Sequence, residues 1–172
     1  MPIVSTENQS LLTAEVLRSV LNYDPETGIF TWKIRPAFRT KIGSVAGYQM
    51  TKGYWMIGVK GTYYVAHRLA WLYVNGKWPA DQIDHINGVK SDNRIVNLRQ
   101  ATNSQNHANA PKRSHNTSGV KGVSWHKKRR RWIASIRVHG KLEHIGEFRE
   151  LSVAADAYSE KARSVFGEFA RT

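Results

Sequence analysis

One polar stretch limits what this chain can become. A strand-like run, Gln82-Ile83, closes on an acid and an imidazole, Asp84-His85, and the polar loop Asn87-Gly88-Val89-Lys90-Ser91-Asp92-Asn93 follows. A short apolar segment, Ile95 to Ala101, then leads to Thr102-Asn103-Ser104-Gln105-Asn106. Thr102 and Gln105 have capping-box spacing, which predicts a helix start there. A hairpin followed by a helix would bring Asp84, His85 and Asn106 to one place. A carboxylate and an amide oxygen are hard ligands that suit Mg²⁺ rather than zinc. An adjacent imidazole takes a proton from water near neutral pH. A metal touching a phosphate oxygen also stabilises the leaving oxygen. Together these groups suit phosphodiester hydrolysis.

Asp84-His85, Asn97-Leu98 and Asn106 resemble the HNH endonuclease motif, in the variety found in phage and intron-encoded homing endonucleases. The resemblance runs from about His67 to His107. It implies a ββα-metal finger in which His85 is the general base that activates water. Asp84 and Asn106 would hold one divalent ion, Mg²⁺ with Mn²⁺ as the alternative. Asn97 would brace the loop and orient His85. It further implies double-stranded DNA as partner and nicking as the default product, since one such site attacks one strand at a time. A monomer or weak dimer in the cytoplasm of a bacterial or phage-infected cell follows from the same likeness. Such catalysis requires Asp84 and Asn106 on the same side of the molecule and a His85 ring that solvent can reach. The residues alone also allow an Asp-His turn and a capped helix with no activity.

The rest of the chain agrees with a polyanionic partner. Its 172 residues carry 26 Lys and Arg against 13 acidic residues, a formal charge of +13. That excess points to DNA, RNA or an anionic membrane. No apolar run reaches spanning length and the start lacks a signal pattern, so neither membrane insertion nor secretion is expected. There is no cysteine. Disulfides, thiol redox chemistry and thiolate zinc are thereby excluded, as is the structural zinc ribbon of some HNH enzymes. Six Trp and seven Tyr supply bulk for packing instead.

Residues 1–12 read as a polar, mobile start. A helix is expected from Thr13 to Leu21, capped by Thr13, then a turn over Tyr23 to Gly28 and a strand Ile29–Trp32. The basic, glycine-dotted stretch 33–53 suits either solvent or phosphate. Strands 54–59 and 62–65 flank a Lys60-Gly61 turn, with Trp55, Ile57 and Val59 on one face. A helix over 66–74 closes at Asn75-Gly76, with Leu69, Ala70, Tyr73 and Val74 as its apolar stripe. His67 fits a buried histidine satisfied by backbone better than a site residue. Arg68, Lys90, Arg94 and Arg99 are candidate phosphate contacts.

Residues 109–118 lack apolar periodicity and read as a linker. Beyond it, strands 120–125, 131–138 and 141–148 precede a helix from about Leu151 to Phe166, with Ser152 as a candidate cap. Val153, Ala154, Ala157, Tyr158, Ala162 and Val165 suit its buried face. Between residues 110 and 149 eleven Lys and Arg meet only Glu143 and Glu147. Arg131, Ile133, Ser135 and Arg137 alternate with Trp132, Ala134 and Ile136, which leaves one cationic sheet face able to enter a major groove. Gly122-Val123, Trp132, Ile136-Arg137, Gly146, Phe148 and the Ala154-Ala155, Ala157-Tyr158 helix resemble the DNA-binding domain of the plant ethylene-response-factor (Apetala) family. The likeness implies base or phosphate contacts from Lys121, Ser124, His126, Ser135, Arg137 and His144, with Arg131 beside them on the cationic face. Ser124, His126 and His144 stand where that family carries Arg or Trp, which implies a different target sequence.

The expected architecture is therefore α+β. A ββα-metal HNH nuclease lies within residues 1–108 (motif core 67–107), and the linker follows. Residues 119–172 form a three-stranded antiparallel sheet packed on one α-helix. The leading functional expectation is a site-directed, nicking DNA endonuclease. The alternative is a sequence-specific DNA-binding regulator without catalysis.

Overall fold

The computed structural model describes residues 12–172. The expected mobile start falls outside them except at Leu12, which is buried and whose carbonyl accepts from Trp78 Nε1 at 3.0 Å. The chain divides into two compact units, residues 1–100 and 101–172.

The first unit opens with α1 (Ala14–Val20), whose N-cap Thr13 accepts from the Val16 N–H. Leu21, expected to end this helix, instead starts β1 (Leu21–Asp24), which pairs antiparallel with β2 (Ile29–Trp32). Leu21 stays fully buried either way, so the burial pattern does not distinguish the two conformations. A second sheet has the order β3-β4-β5, from Tyr48–Gln49, Trp55–Val59 and Thr62–Val65. Lys60 (φ 48°) and Gly61 (φ 79°) turn β4 into β5, as two-residue hairpins with positive φ do. β5 runs straight into α2 (Ala66–Asn75), which ends on a left-handed Gly76. α2 buries Leu69, Ala70 and Leu72, while Val74, expected in the stripe, is exposed. β6 (Gln82–His85) pairs with β7 (Leu98–Ala101), and the 3₁₀ turn Ile95–Asn97 enters β7. Leu17, Leu21, Phe30, Ile57, Leu69 and Leu72 are the largest fully buried side chains here. Truncation of any one of them would cost about 2–5 kcal/mol.

The second unit begins with α3 (Asn103–Asn109), where Thr102 and Gln105 form the expected capping box. A sheet of order β10-β9-β8 follows, from Lys141–Phe148, Arg131–Val138 and Val123–His126. α4 (Leu151–Phe166) buries Ala154, Tyr158 and Ala162 against it. Small residues on this helix let it approach the sheet closely. Two expectations for α4 fail. Its N-cap is Glu150 without a side-chain bond, not Ser152, and Val153 faces solvent.

The division at residue 100 lies ahead of the stretch expected to be a linker. That stretch is not a free tether. The Asn116 amide donates to Val120 O at 2.8 Å and accepts from Gly119 N at 2.8 Å, and Ser118 Oγ donates to Val123 O at 2.7 Å. These bonds delay the first C-terminal strand to Val123 rather than Val120. His126, one position past the expected end of that strand, closes it.

Gly122 (φ +72°) marks the tightest approach in the second unit. A Cβ there would stand 2.0 Å from Tyr158 Cε2 and 2.7 Å from Ser135 O. Gly122→Ala should destabilise the second unit by about 2–4 kcal/mol. Urea unfolding followed through Trp125 and Trp132 fluorescence checks this, and an unchanged midpoint would contradict the packing.

Candidate active site

β6 carries Asp84 and His85 side by side, both covered, at 4% and 5% exposure. From the paired strand β7, Arg99 donates Nε and Nη2 to Asp84 Oδ2, each at 3.0 Å. His85 Nε2 lies 3.4 Å from Asn93 Oδ1. An amide oxygen accepts, so Nε2 carries the proton and Nδ1 is the basic nitrogen of this tautomer. Burial lowers the His85 pKa against the raising effects of Asn93 and Asp84. The ring is therefore neutral near pH 7 and able to take a proton.

The loop between the strands is held by carboxamides. Asn97 Oδ1 accepts from Asn87 N at 3.0 Å and its Nδ2 donates to Asp92 O at 2.9 Å. Asn97 thus ties the two sides of the loop together, and the residue set against His85 is Asn93. Asn93 is fixed in turn by Tyr23, whose hydroxyl donates to Asn93 O at 2.7 Å. Gly88 (φ 74°) closes the turn, with its N–H on His85 O at 2.8 Å.

Two further rings stand against His85. The His67 ring meets it edge-on at 5.0 Å, and Tyr54 lies 6.2 Å from it and 5.5 Å from His67. His67 is buried as expected, but its Nδ1 has no hydrogen-bond partner, so backbone does not satisfy it. Burial pushes its pKa down to about 3, with the His85 and Arg68 charges adding to the effect. The ring face that catalysis asks to be open is covered in this conformation. Tyr54 is half-exposed at the rim, with the Lys90 ammonium 4.9 Å above its ring.

The four expected phosphate cations are all engaged within the protein. Arg99 holds Asp84, and Arg94 grips Asp92 at 2.8 and 2.6 Å. The Arg94 bond is the main cause that lowers the Asp92 pKa to about 2. Arg68 donates to Asp81 O at 3.0 Å, and Lys90 sits on Tyr54. Cations in a polar loop find the nearest acceptors first, which sequence alone does not reveal.

In the second unit, Asn106 lies on α3 and is half-buried. The sheet register pairs Ser124 with Ile133, His126 with Arg131, His144 with Ser135 and Leu142 with Arg137. Directly opposed residues share a face. Ser124, His126, Arg131, Ser135, Arg137 and His144 therefore all lie on one side of the sheet, and none is buried. Lys121 is placed elsewhere. Its ammonium donates to the carbonyls of His107 (3.2 Å), Ala108 and Ala110 (2.7 Å).

The HNH endonuclease family profile matches residues 64–108. Protein 3.8 of Escherichia phage T7 is 36% identical over 106 residues, which cover 61% of this chain and 87% of that protein. The chain belongs to the HNH endonuclease family. An uncharacterized HNH endonuclease of Acanthamoeba polyphaga mimivirus is also 36% identical over 106 residues, which span 60% of this chain and 54% of that relative. No solved structure matches the chain significantly. Among the described residues no helix is long and apolar enough to cross a membrane.

The HNH donor set fits a hard divalent ion. Asp84 offers a carboxylate and the chain has no thiolate, whereas among the described residues no group of three or more His, Asp or Glu could hold a metal ion. Sequence reasoning passed over the roles of Asn93, Tyr23 and Tyr54 here. Asn93 stands in the polar loop of the motif, and that position was its signal in the sequence.

His67 gives this site a pH signature. Its folded pKa lies below the ordinary value of 6.5, so below pH 6.5 the unfolded chain binds the extra proton and the folded one does not. Its contribution to stability is complete above pH 6.5 and is lost as pH falls toward about 3. His85, also lowered, acts in the same direction. His67→Phe should flatten this acid limb in a series of urea midpoints taken from pH 7 to pH 4.

Proposed function

We propose that the protein is a metal-dependent DNA endonuclease that nicks one strand of a duplex. His85 is the general base, Asp84 and Asn106 are the metal ligands the motif supplies, and Asn97 holds the loop. The observation that carries this reading is a neutral imidazole, fixed through Nε2 by Asn93, beside a buried carboxylate inside the HNH match. The bound ion supplies Lewis-acid stabilisation of the leaving oxygen, with Mg²⁺ the best chemical fit and Mn²⁺ its substitute. His85 Nδ1 takes the proton of the attacking water. Asp84 favours the imidazolium that results, and Asn93 keeps the ring in register.

The covered ring sets a condition on this chemistry. Water reaches His85 when Tyr54 and Lys90 move aside, and a phosphate is the natural competitor for the Lys90 ammonium. The same covering favours a second reading, a DNA-binding regulator without catalysis.

The C-terminal sheet chooses the site on DNA. Support comes from six candidate contact residues on one unburied face of a three-stranded sheet backed by a helix, the arrangement of the ethylene-response-factor likeness. Phosphate cations give affinity, and a sheet in a groove gives register. The enzyme is read as a mobile, homing type that acts in the cytoplasm of infected cells, as a monomer or weak dimer; the HNH likeness and the viral origin of two relatives are in line with this reading.

Supercoiled plasmid incubated with Mg²⁺ tests the proposal. Wild type should relax it, His85→Ala and Asp84→Ala should lose relaxation by at least about a thousandfold, and both should keep duplex affinity. Asn106→Ala should recover in part as Mg²⁺ is raised, and a flat metal response would remove it from the ligand set. Tight binding of a defined duplex without relaxation in any metal or salt would establish the regulator instead.

A further inference from the structure

Helix α3 is seven residues long, Asn103–Asn109. Two turns of helix have little stability of their own, so something outside must hold it. Its first turn is fixed by its own capping box, with Thr102 Oγ accepting from Gln105 N at 3.3 Å and Gln105 Oε1 accepting from Thr102 N at 2.8 Å. Its last turn is held from the C-terminal segment. Lys121 Nζ donates to three carbonyls at the helix end, those of His107, Ala108 and Ala110. An ammonium has three N–H donors, and all three are accounted for. The cation also complements the negative end of the helix.

Three other contacts from the same segment support α3. Phe169 packs with Ala101 and Ala108 in a separate small buried cluster. The Arg171 N–H donates to Ala108 O at 3.3 Å, and the His139 N–H donates to Ser104 Oγ at 3.4 Å. Asn106 lies on the turn that Lys121 closes, and its own carbonyl accepts from Ala110 N at 3.1 Å. Lys121 is half-buried, and that burial lowers its pKa to about 8. A solvated, DNA-reaching arm would show neither feature.

We propose that Lys121, with the Phe169 turn beside it, is a positioning element for the Asn106 helix of the nuclease and not a DNA contact. The C-terminal segment is then part of the cleavage machinery as well as the part that selects DNA. This rests on the HNH reading of Asn106 given above.

The full chain tests it with Lys121→Met, which keeps the stem and removes the donors, and Lys121→Arg, which keeps charge and donors. For Lys121→Met the nicking rate at saturating DNA should fall about tenfold or more, and the Mg²⁺ needed for half-maximal rate should rise, as loss of support for a metal ligand does. Duplex affinity should stay within about twofold, with an unchanged salt slope. Lys121→Arg should restore much of the rate. Amide exchange at Gln105 to Ala110 should speed up in Lys121→Met, while the β4–β5 amides keep their rates. Lost affinity with a salt slope smaller by about one and an unchanged saturated rate would make Lys121 a phosphate contact and overturn the proposal. Unchanged exchange in α3 would overturn it as well. If Lys121→Met unfolds the second unit, Lys121→Gln is read by the same criteria. If wild type fails to nick at all, the nuclease reading falls, and the exchange comparison still decides whether Lys121 holds the helix.

Discussion

The site depends on a polar loop that is held by carboxamides rather than by apolar packing. Asn97 ties Asn87 to Asp92 with its two amide ends, and Tyr23 reaches from β1 to fix Asn93. Buried amides of this kind are costly to leave unpaired, about 1–3 kcal/mol each. The network is therefore close to all-or-none: one lost partner leaves another group unsatisfied. That cooperativity does the work here that a zinc ribbon does in proteins with cysteine.

Electrostatics then decides what the two side chains can do. A carboxylate next to an imidazole stabilises the imidazolium and would hold the base protonated. Burial pulls the other way and is the larger effect at His85. Arg99, on Asp84 Oδ2, shares the negative charge that would otherwise bear wholly on the ring. Arg94 does the same for Asp92 across the loop. Two of the cations that looked like phosphate arms thus pair with acids inside the protein. Their placement follows from distance: an acceptor on the adjacent strand or two residues away is always present, whereas DNA arrives later.

The parts legible in the sequence were those set by local chemistry. Lys60-Gly61 and Gly76 mark turns through positive φ, and Thr102 with Gln105 marks a helix start through a four-residue reciprocal bond. Strand alternation over Arg131–Val138 fixed the open face of the sheet, and the register then brought His144 and Ser124 onto it. The parts that stayed hidden were set by distant partners. Leu21 is apolar and buried whether it ends a helix or starts a strand, and only its partner Trp32 chooses. Lys121 reads as one more basic residue in a basic segment, and carbonyls more than ten positions away give it another task. Asn93 and Asn97 are the same residue type in one loop, and which of them faces His85 is a matter of backbone path alone.

The family match ends at residue 108, whereas the compact units divide at residue 100. The functional motif and the folding unit therefore do not coincide: Asp84, His85 and Asn97 belong to one unit and Asn106 to the other. A short strand pair can hold a loop, but it cannot by itself hold a two-turn helix. The second unit holds that helix through its own core and through a lysine at the helix end.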